Sequence, residues 1–146
     1  MGRNIQWIMV VVIIVLVGGM VYKQNFAAPV PQEEITAGVL SSSEQEIETA
    51  LENGDSIWIL FRSTTCVPCV EMQKIFDQLK PEYEGKVKFI EVDVNDRANI
   101  NLLQEYKLQY IPTTFIMDGQ GNISYHNVGV VPLDELTAEL DRVVTE

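Results

Sequence analysis

Cysteine and histidine are scarce in this sequence, which has two cysteines and one histidine among 146 residues. A structural zinc site takes about four ligands, mostly from these two residue types. Cys66 and Cys69 lie close together, but His126 lies about 60 residues further along the chain, in a predicted strand. The sequence therefore argues against a metal site, and we expect no metal or other cofactor. We expect His126 to be an exposed strand residue rather than a catalytic base.

Lysine and arginine are also few, with ten of them against 21 aspartates and glutamates, which gives a formal net charge of −11. All of the acidic residues follow residue 29. Nucleic acids and anionic lipid head groups repel a surface of this kind. The composition therefore excludes nucleic-acid binding as the function and disfavours a role that requires close contact with the membrane surface.

One long stretch, Ile5 to Tyr22, has no charged residue and is far more apolar than the rest of the chain. As a helix its 18 residues would be about 27 Å long, close to the thickness of the hydrocarbon core of a bilayer. We predict a transmembrane anchor in residues 1–22. A cleaved secretory signal is the alternative, although its apolar core is usually about 7 to 15 residues long. With the short amino-terminal tail in the cytoplasm, either fate places the rest of the chain outside it, as a single-pass membrane protein or in secreted form.

Residues 23–42 are predicted to be a linker, because they are rich in proline, alanine and serine and show no clear periodicity. About 20 flexible residues would reach roughly 25 Å, so the domain that follows could search the membrane surface for a partner. Within this stretch, Ile35–Leu40 is equally compatible with a short first strand. Residues 43–146 are long enough for one globular domain.

From Ser43 onward the chain alternates between predicted helices and strands. In chain order these are a helix with Ser43 as N-cap and Glu46 closing a capping box, a strand Ser56–Arg62, a helix from the cysteines to Pro81, a strand Lys86–Val94, a helix Ala98–Tyr106, strands Thr113–Asp118 and Asn122–Val128, and a helix from Pro132. The strand-helix-strand repeats predict parallel strands, and the Gly-Gln-Gly turn between the last two strands predicts an antiparallel hairpin. The expected class is α/β, with a central mixed sheet between two layers of helices.

The two cysteines are separated by Val67 and Pro68 and follow closely on the strand that ends at Arg62. This spacing at the start of a helix lets the two sulfurs reach bonding distance. Unpaired N–H groups and the positive end of the helix dipole would stabilise a thiolate at Cys66, which we predict to be the nucleophile, with Cys69 resolving the mixed disulfide. A static structural disulfide is the alternative, but it would close a loop too short to restrain the unfolded chain much.

Two motifs make the region from Glu44 to Glu146 resemble the thioredoxin family. They are the Cys-Val-Pro-Cys pair after an apolar strand and, some 45 residues later, Tyr-Ile-Pro-Thr-Thr-Phe-Ile-Met-Asp-Gly-Gln-Gly. The resemblance implies a thioredoxin-like three-layer sandwich and thiol-disulfide oxidoreductase activity on proteins. It also implies that Ile111, Pro112 and Thr113 form the substrate-binding segment, in which the family's proline is cis and lies against the cysteines.

The sequence departs from the common thioredoxin pattern around the cysteines. The family's tryptophan before the first cysteine, glycine after it and buried aspartate six residues before it are here Thr65, Val67 and Leu60. The usual proton acceptor for the second cysteine is therefore absent. Either water or a carboxylate must take its place, and the candidate carboxylates are Glu71 and Glu91.

The pattern is closer to that of membrane-tethered, extracytoplasmic relatives that deliver electrons for disulfide reduction or cytochrome c maturation. We therefore expect a membrane-anchored reductase of extracytoplasmic protein disulfides, active in cytochrome c maturation or redox homeostasis, with a membrane-embedded thiol carrier as its electron source. Two alternatives stay open: a disulfide oxidase or isomerase, and a thioredoxin-fold module that binds clients without turnover. The redox direction is not readable from the sequence, because 30 mV corresponds to only about 1.4 kcal/mol.

Overall fold

The computed structural model describes residues 40–145. No helix within this range is long and apolar enough to span a membrane. The predicted anchor in residues 1–22, the signal-peptide alternative and nearly all of the predicted linker lie outside the described residues. The predicted division of the chain into anchor, linker and domain therefore stays a prediction.

The described residues form four α-helices, four β-strands and one turn of 3₁₀ helix. In chain order these are α1 (Ser42–Asn53), β1 (Ser56–Arg62), α2 (Val67–Leu79), β2 (Val87–Asp93), the 3₁₀ turn Arg97–Asn99, α3 (Ile100–Glu105), β3 (Thr113–Met117), β4 (Ile123–Val128) and α4 (Leu133–Thr145). The predicted order of helices and strands is confirmed.

The start of α1 differs from the prediction, because its N-cap is Ser41 and not Ser43. The Ser41 hydroxyl accepts a hydrogen bond of 3.0 Å from the N–H of Glu44, and the Glu44 carboxylate accepts one of 2.9 Å from the N–H of Ser41. The sequence Ser-Ser-Ser-Glu-Gln-Glu offers the same capping pattern twice, two residues apart. The fold uses the earlier one, in which Glu44 is buried.

The four strands form one mixed sheet in the order β2-β1-β3-β4. Strand β1 runs parallel to β2 and antiparallel to β3, and β3 runs antiparallel to β4. The predicted parallel crossover and the predicted hairpin edge are both confirmed. Leu60 of β1 faces Glu91 of β2 on one side and Thr114 of β3 on the other.

Helices cover both faces of the sheet, which gives the three layers expected of a thioredoxin-like α/β sandwich. On one face α2 and α4 pack against the sheet, and the buried side chains include Trp58, Leu60, Met72, Phe76, Ile116, Leu136 and Leu140. On the other face lie α1 and α3, with Ile47, Ala50, Ile57, Ile59, Phe61, Leu102 and Phe115. Strand β1 is buried on both faces from Ser56 to Phe61, which explains why its sequence is continuously apolar rather than alternating.

The topology brings two loops to one end of the sheet. The chain leaves β1 at Arg62 and enters α2 at Val67, and β3 begins at Thr113. Because β1 and β3 are antiparallel, the carboxyl end of one lies beside the amino end of the other. The loop 63–66 and the segment that leads into β3 therefore meet at this end.

Candidate active site around the cysteine pair

Cys66 and Cys69 form a disulfide at the start of α2, with their Cα atoms 5.2 Å apart. Cys66 is the N-cap of the helix, in an extended conformation with φ −92° and ψ 115°. Val67 and Pro68 occupy the first two helical positions, where a proline has no N–H to leave unpaired. The N–H of Cys69 points at the Cys66 sulfur, 3.4 Å away, so a thiolate at Cys66 would accept this hydrogen bond and face the positive end of the helix dipole.

The two sulfurs differ in their access to solvent. The side chain of Cys66 is half-buried, whereas Cys69 is 0% exposed. Beside them, Val67 is 76% exposed and projects from the surface. An incoming disulfide could therefore reach only Cys66, which is what the predicted roles of nucleophile and resolving cysteine require. The assignment of these roles stays a prediction.

The second predicted motif lies against the first. The peptide bond between Ile111 and Pro112 is cis. The carbonyl oxygen of Ile111 lies 4.0 Å from the sulfur of Cys66. Two hydrogen bonds hold the segment: the Thr113 hydroxyl donates to the carbonyl of Tyr110 at 2.6 Å, and the Pro112 carbonyl accepts from the N–H of Gly129 at 2.8 Å.

Ile111 keeps its own main-chain groups free of the sheet. Within residues 40–145 neither its N–H nor its C=O takes part in a backbone hydrogen bond. A free main-chain N–H and C=O are the groups with which a strand-like peptide pairs. The use of this segment to bind substrate stays a prediction.

A hydrogen-bonded group before Cys66 holds the loop in place. Asn95, in the turn after β2, donates to the buried hydroxyl of Ser63 at 2.7 Å. The same Ser63 oxygen accepts from the N–H of Thr65 at 3.3 Å and lies 3.1 Å from the Thr65 hydroxyl. Neither Ser63 nor Asn95 is predicted from the sequence to be a site residue. Their positions just after two buried strands were the only available signal.

The position of the missing aspartate is filled by Leu60, which is fully buried. Of the two candidate proton acceptors, Glu71 is exposed on the first turns of α2, whereas Cys69 is buried. Both oxygens of Glu91 are already engaged, because one accepts hydrogen bonds from Arg62 at 2.9 Å and the other accepts from Gln73 at 2.7 Å. The described geometry therefore gives neither carboxylate a contact with Cys69.

An aromatic groove of about 380 Å³ runs from the cis-proline segment along the β3-β4 hairpin. Its lining includes Tyr106, Tyr110, Phe115, His126 and Val128. Tyr110, which is 66% exposed, directly precedes Ile111. His126 is exposed, as predicted, and its ring stacks on Phe115 at 4.3 Å. A larger cavity of about 680 Å³ lies at the end of α2 and the start of β2 and includes none of the predicted site residues.

Among residues 40–145 no three histidine, cysteine, aspartate or glutamate side chains are grouped as a metal ion would require. The chemistry available at this end of the sheet is that of the cysteine pair.

The sequence and the fold of this chain are similar to those of several known proteins. The family model described as a thioredoxin-like domain matches residues 43–144. The chain is 26% identical to the thioredoxin of Chlorobaculum thiosulfatiphilum over 102 residues, which are 69% of this chain and 92% of that protein. It is 28% identical to the thioredoxin of Synechocystis over 95 residues, 65% of this chain and 86% of that protein.

A longer relative is the thiol:disulfide interchange protein TxlA of Synechococcus elongatus, which is 25% identical over 115 residues, 77% of this chain and 60% of that protein. Among solved structures, thioredoxin-2 of a malaria parasite superposes with a TM-score of 0.55 at 17% identity, covering 60% of this chain and 82% of that one. At 17% identity the superposition supports the fold alone.

Proposed function

The chain belongs to the thioredoxin-like family and is a thiol-disulfide oxidoreductase, and we propose that it acts as a reductase of protein disulfides outside the cytoplasm, held at the membrane by its amino-terminal segment. The observation that carries the exchange chemistry of the proposal is the unequal exposure of the cysteine pair at the start of α2. One sulfur is open to clients and stabilised as a thiolate by the helix, and the other is buried behind it.

The reaction follows from this arrangement. The Cys66 thiolate attacks one sulfur of the client disulfide, a bond forms between these two sulfurs, and the second client sulfur leaves as a thiolate and takes up a proton. Cys69 then loses its proton and attacks the Cys66 sulfur, which releases the first client sulfur as a second thiol. The client gains two electrons and two protons, and the Cys66–Cys69 disulfide remains.

The surroundings of Cys66 favour an extended, partly apolar client segment. A peptide that pairs with the free main-chain groups of Ile111 would pass close to the Cys66 sulfur, since the Ile111 carbonyl is 4.0 Å from it. Val67, which follows Cys66 in the chain, and Tyr110, which precedes Ile111, both have exposed side chains. Unfolded or flexible cysteine-containing segments are therefore the client class that the surface fits best.

The proposal also includes the location of the protein and the source of its electrons. The uncharged stretch Ile5–Tyr22 supports a single membrane span with the amino terminus in the cytoplasm, and cleavage there would give a secreted form. A reductant outside the cytoplasm must be recharged, and a membrane-embedded thiol carrier would do so. The likeness to a thiol:disulfide interchange protein supports the exchange chemistry of the proposal. Cytochrome c maturation and redox homeostasis are the processes that would use such a reductant.

The decisive experiment on direction is the reduction potential of the full chain in detergent, equilibrated with glutathione or dithiothreitol buffers and read by mass after thiol alkylation. A potential of roughly −270 mV or lower supports a reductase, and one of roughly −120 to −180 mV supports an oxidase or isomerase instead. The Cys69→Ser variant is the control, because it forms no internal disulfide and should accumulate mixed disulfides with clients. If the wild-type pair forms no reversible disulfide, the chain is a client-binding module.

Location is tested separately in intact cells that express the chain. A membrane-impermeant maleimide should label Cys66 in the Cys69→Ser variant, whereas the Cys66→Ser variant, which keeps only the buried thiol, should stay unlabelled. The chain should remain in the membrane pellet after washing at high pH, and its mass should include residues 1–22. Labelling that occurs only after lysis would contradict the extracytoplasmic location.

A further inference from the structure

One hydroxyl in the interior has no explanation in the fold itself. Thr114 of β3 is 0% exposed, and its Oγ1 atom has no hydrogen-bond partner among the described residues. Buried hydroxyls in proteins are nearly always hydrogen-bonded, because leaving one unpaired costs about 1 to 3 kcal/mol. A valine would fill the same space without this cost. The hydroxyl therefore calls for a partner that is absent from the disulfide form.

The sheet register places this hydroxyl on the side of Cys69. Thr114 lies directly opposite Leu60 in the antiparallel β1-β3 pair, so both side chains lie on the same face of the sheet. This is the face covered by α2, since Leu60 packs in one cluster with Met72 and Phe76 of that helix.

The position of Thr114 along its strand gives a second reason to place its hydroxyl near Cys69. Thr114 is the residue of β3 on this face that lies nearest to the end where α2 begins, and Leu60, one alternation before the last residue of β1, is its cross-strand partner. Cys69 is the first buried residue of α2, three positions before Met72 on the same helical stripe. The resolving cysteine and the unpaired hydroxyl therefore lie at the same end of the same layer, beside the position at which Leu60 replaces the family's aspartate.

We propose that the Thr114 hydroxyl is the hydrogen-bond partner of the Cys69 sulfur in the reduced protein. In the disulfide form the Cys69 sulfur is bonded to Cys66 and the hydroxyl has no partner. Reduction leaves a thiol or thiolate at Cys69 in apolar surroundings, where a thiolate without a donor is strongly disfavoured. The inference rests on the proposed function only in that Cys69 resolves the mixed disulfide.

The hydroxyl acts by donating a hydrogen bond and not by taking the proton. An alcohol is too weak a base to deprotonate a thiol, so the proton of Cys69 passes to solvent and the Thr114 O–H stabilises the thiolate that remains. This bond exists only in the reduced form, so it favours the dithiol over the disulfide. At a pH at which Cys69 is a thiolate, its loss should make the pair easier to oxidise by about tenfold, the size expected for a hydrogen bond to a charged group, which corresponds to roughly 30 mV.

The test uses the full chain in detergent and two substitutions of similar size. Thr114→Val removes the hydroxyl and keeps the branched shape, whereas Thr114→Ser keeps the hydroxyl. In the Cys66→Ser background, the ultraviolet absorbance of the Cys69 thiolate is followed against pH, with the variant that lacks both cysteines subtracted to remove the tyrosine signal. We expect the Cys69 titration to move to higher pH in Thr114→Val and to stay near the wild-type position in Thr114→Ser.

The second readout is the glutathione equilibrium with both cysteines present, measured above the pH at which Cys69 titrates. Thr114→Val should shift it about tenfold toward the disulfide, and Thr114→Ser should not. Folding should survive, because removing an unpaired buried hydroxyl does not destabilise a core, and Thr114→Ala serves as a second hydroxyl-free variant. If the hydroxyl-free variants leave both the titration and the equilibrium unchanged, the inference is wrong. The titration needs no client, so it tests Thr114 even if the chain proves to have no reductase activity.

Discussion

The sulfur of Cys66 lies 4.0 Å from the carbonyl oxygen of Ile111, although the two residues are 45 positions apart in the chain. The contact arises because the end of β1 and the beginning of β3 adjoin in the antiparallel pair. A peptide bound along Ile111 would therefore present its own sulfur to Cys66 without any rearrangement of the sheet.

Tyr110→Ala should weaken the binding of protein clients without slowing the chemistry. Tyr110 is exposed, borders the aromatic groove and directly precedes Ile111, but no sulfur chemistry depends on it. Losing one exposed aromatic contact costs about 1 kcal/mol, so we expect KM for a protein disulfide to rise about fivefold with kcat unchanged. Steady-state reduction of an unfolded disulfide-containing protein measures both values.

Ile123→Ala is the matched control for this prediction. Ile123 is also exposed, at 54%, but lies at the far end of β4 from Val128, which lines the groove. Its substitution should leave KM unchanged, and neither variant should alter the rate with a small disulfide such as oxidised glutathione. Equal effects of the two substitutions would show that Tyr110 has no special part in client binding.

Ser63→Ala should destabilise the domain and loosen the loop before Cys66. The buried Ser63 hydroxyl connects Asn95 with Thr65, so its removal leaves the Asn95 amide and the Thr65 N–H without this partner. We expect the free energy of unfolding to fall by about 1 to 2 kcal/mol, measured by urea denaturation of the oxidised protein. Ser42→Ala, at an exposed serine on the first turn of α1, should change it by less than about 0.5 kcal/mol. A similar loss in both variants would contradict the linking role of Ser63.

Tyr83 should make the domain sensitive to alkaline pH. Burial, assisted by a 2.7 Å hydrogen bond to the Asp141 carboxylate and by its charge, raises the pKa of Tyr83 to about 12. The folded form therefore holds this proton more tightly than the unfolded chain, in which tyrosine has a pKa of about 10. The stabilisation is fully present below about pH 10 and is lost as the pH rises through about 12. Urea midpoints of the oxidised protein across this range measure the decline.

The Tyr83→Phe variant separates the contribution of Tyr83 to the alkaline loss of stability from that of the other tyrosines. Burial also raises the pKa of Tyr106 to about 12, with the charge of Glu105 as a second cause, so a part of the alkaline decline should persist in the variant. The decline should nonetheless become shallower than in the wild type. An identical slope in both proteins would mean that Tyr83 titrates alike in the folded and unfolded chains.

The order of the elements and the location of the cysteine pair could be read from the sequence for physical reasons. The β1 sequence is apolar at every position because both faces are covered, and proline, glycine and serine mark the ends of most elements. The start of α1 could not be read, because two serine-glutamate pairs compete for one cap. Only the tertiary packing that buries Glu44 selects between them.

The residues that support the site could not be predicted from the sequence, for a different reason. Ser63, Asn95 and Thr114 are small polar residues whose roles depend on the groups that face them from other elements. In the sequence such residues look like ordinary turn or strand positions. The sequence does not show the strand register, which sets Thr114 opposite Leu60. The cysteine motif indicates the chemistry of the site, and the strand register shows which residues surround it.

The burial of Cys69 also constrains the kinetics of the complete cycle. Only the Cys66 sulfur can be reached from solvent, so the thiol that reduces the disulfide and the client disulfide that reoxidises the pair must approach the same atom. In the proposed reductase cycle, the electron donor and the client therefore cannot be bound to this sulfur at the same time. We expect such a cycle to run by a ping-pong mechanism, in which a large excess of client slows its own reduction by occupying the face that the donor needs.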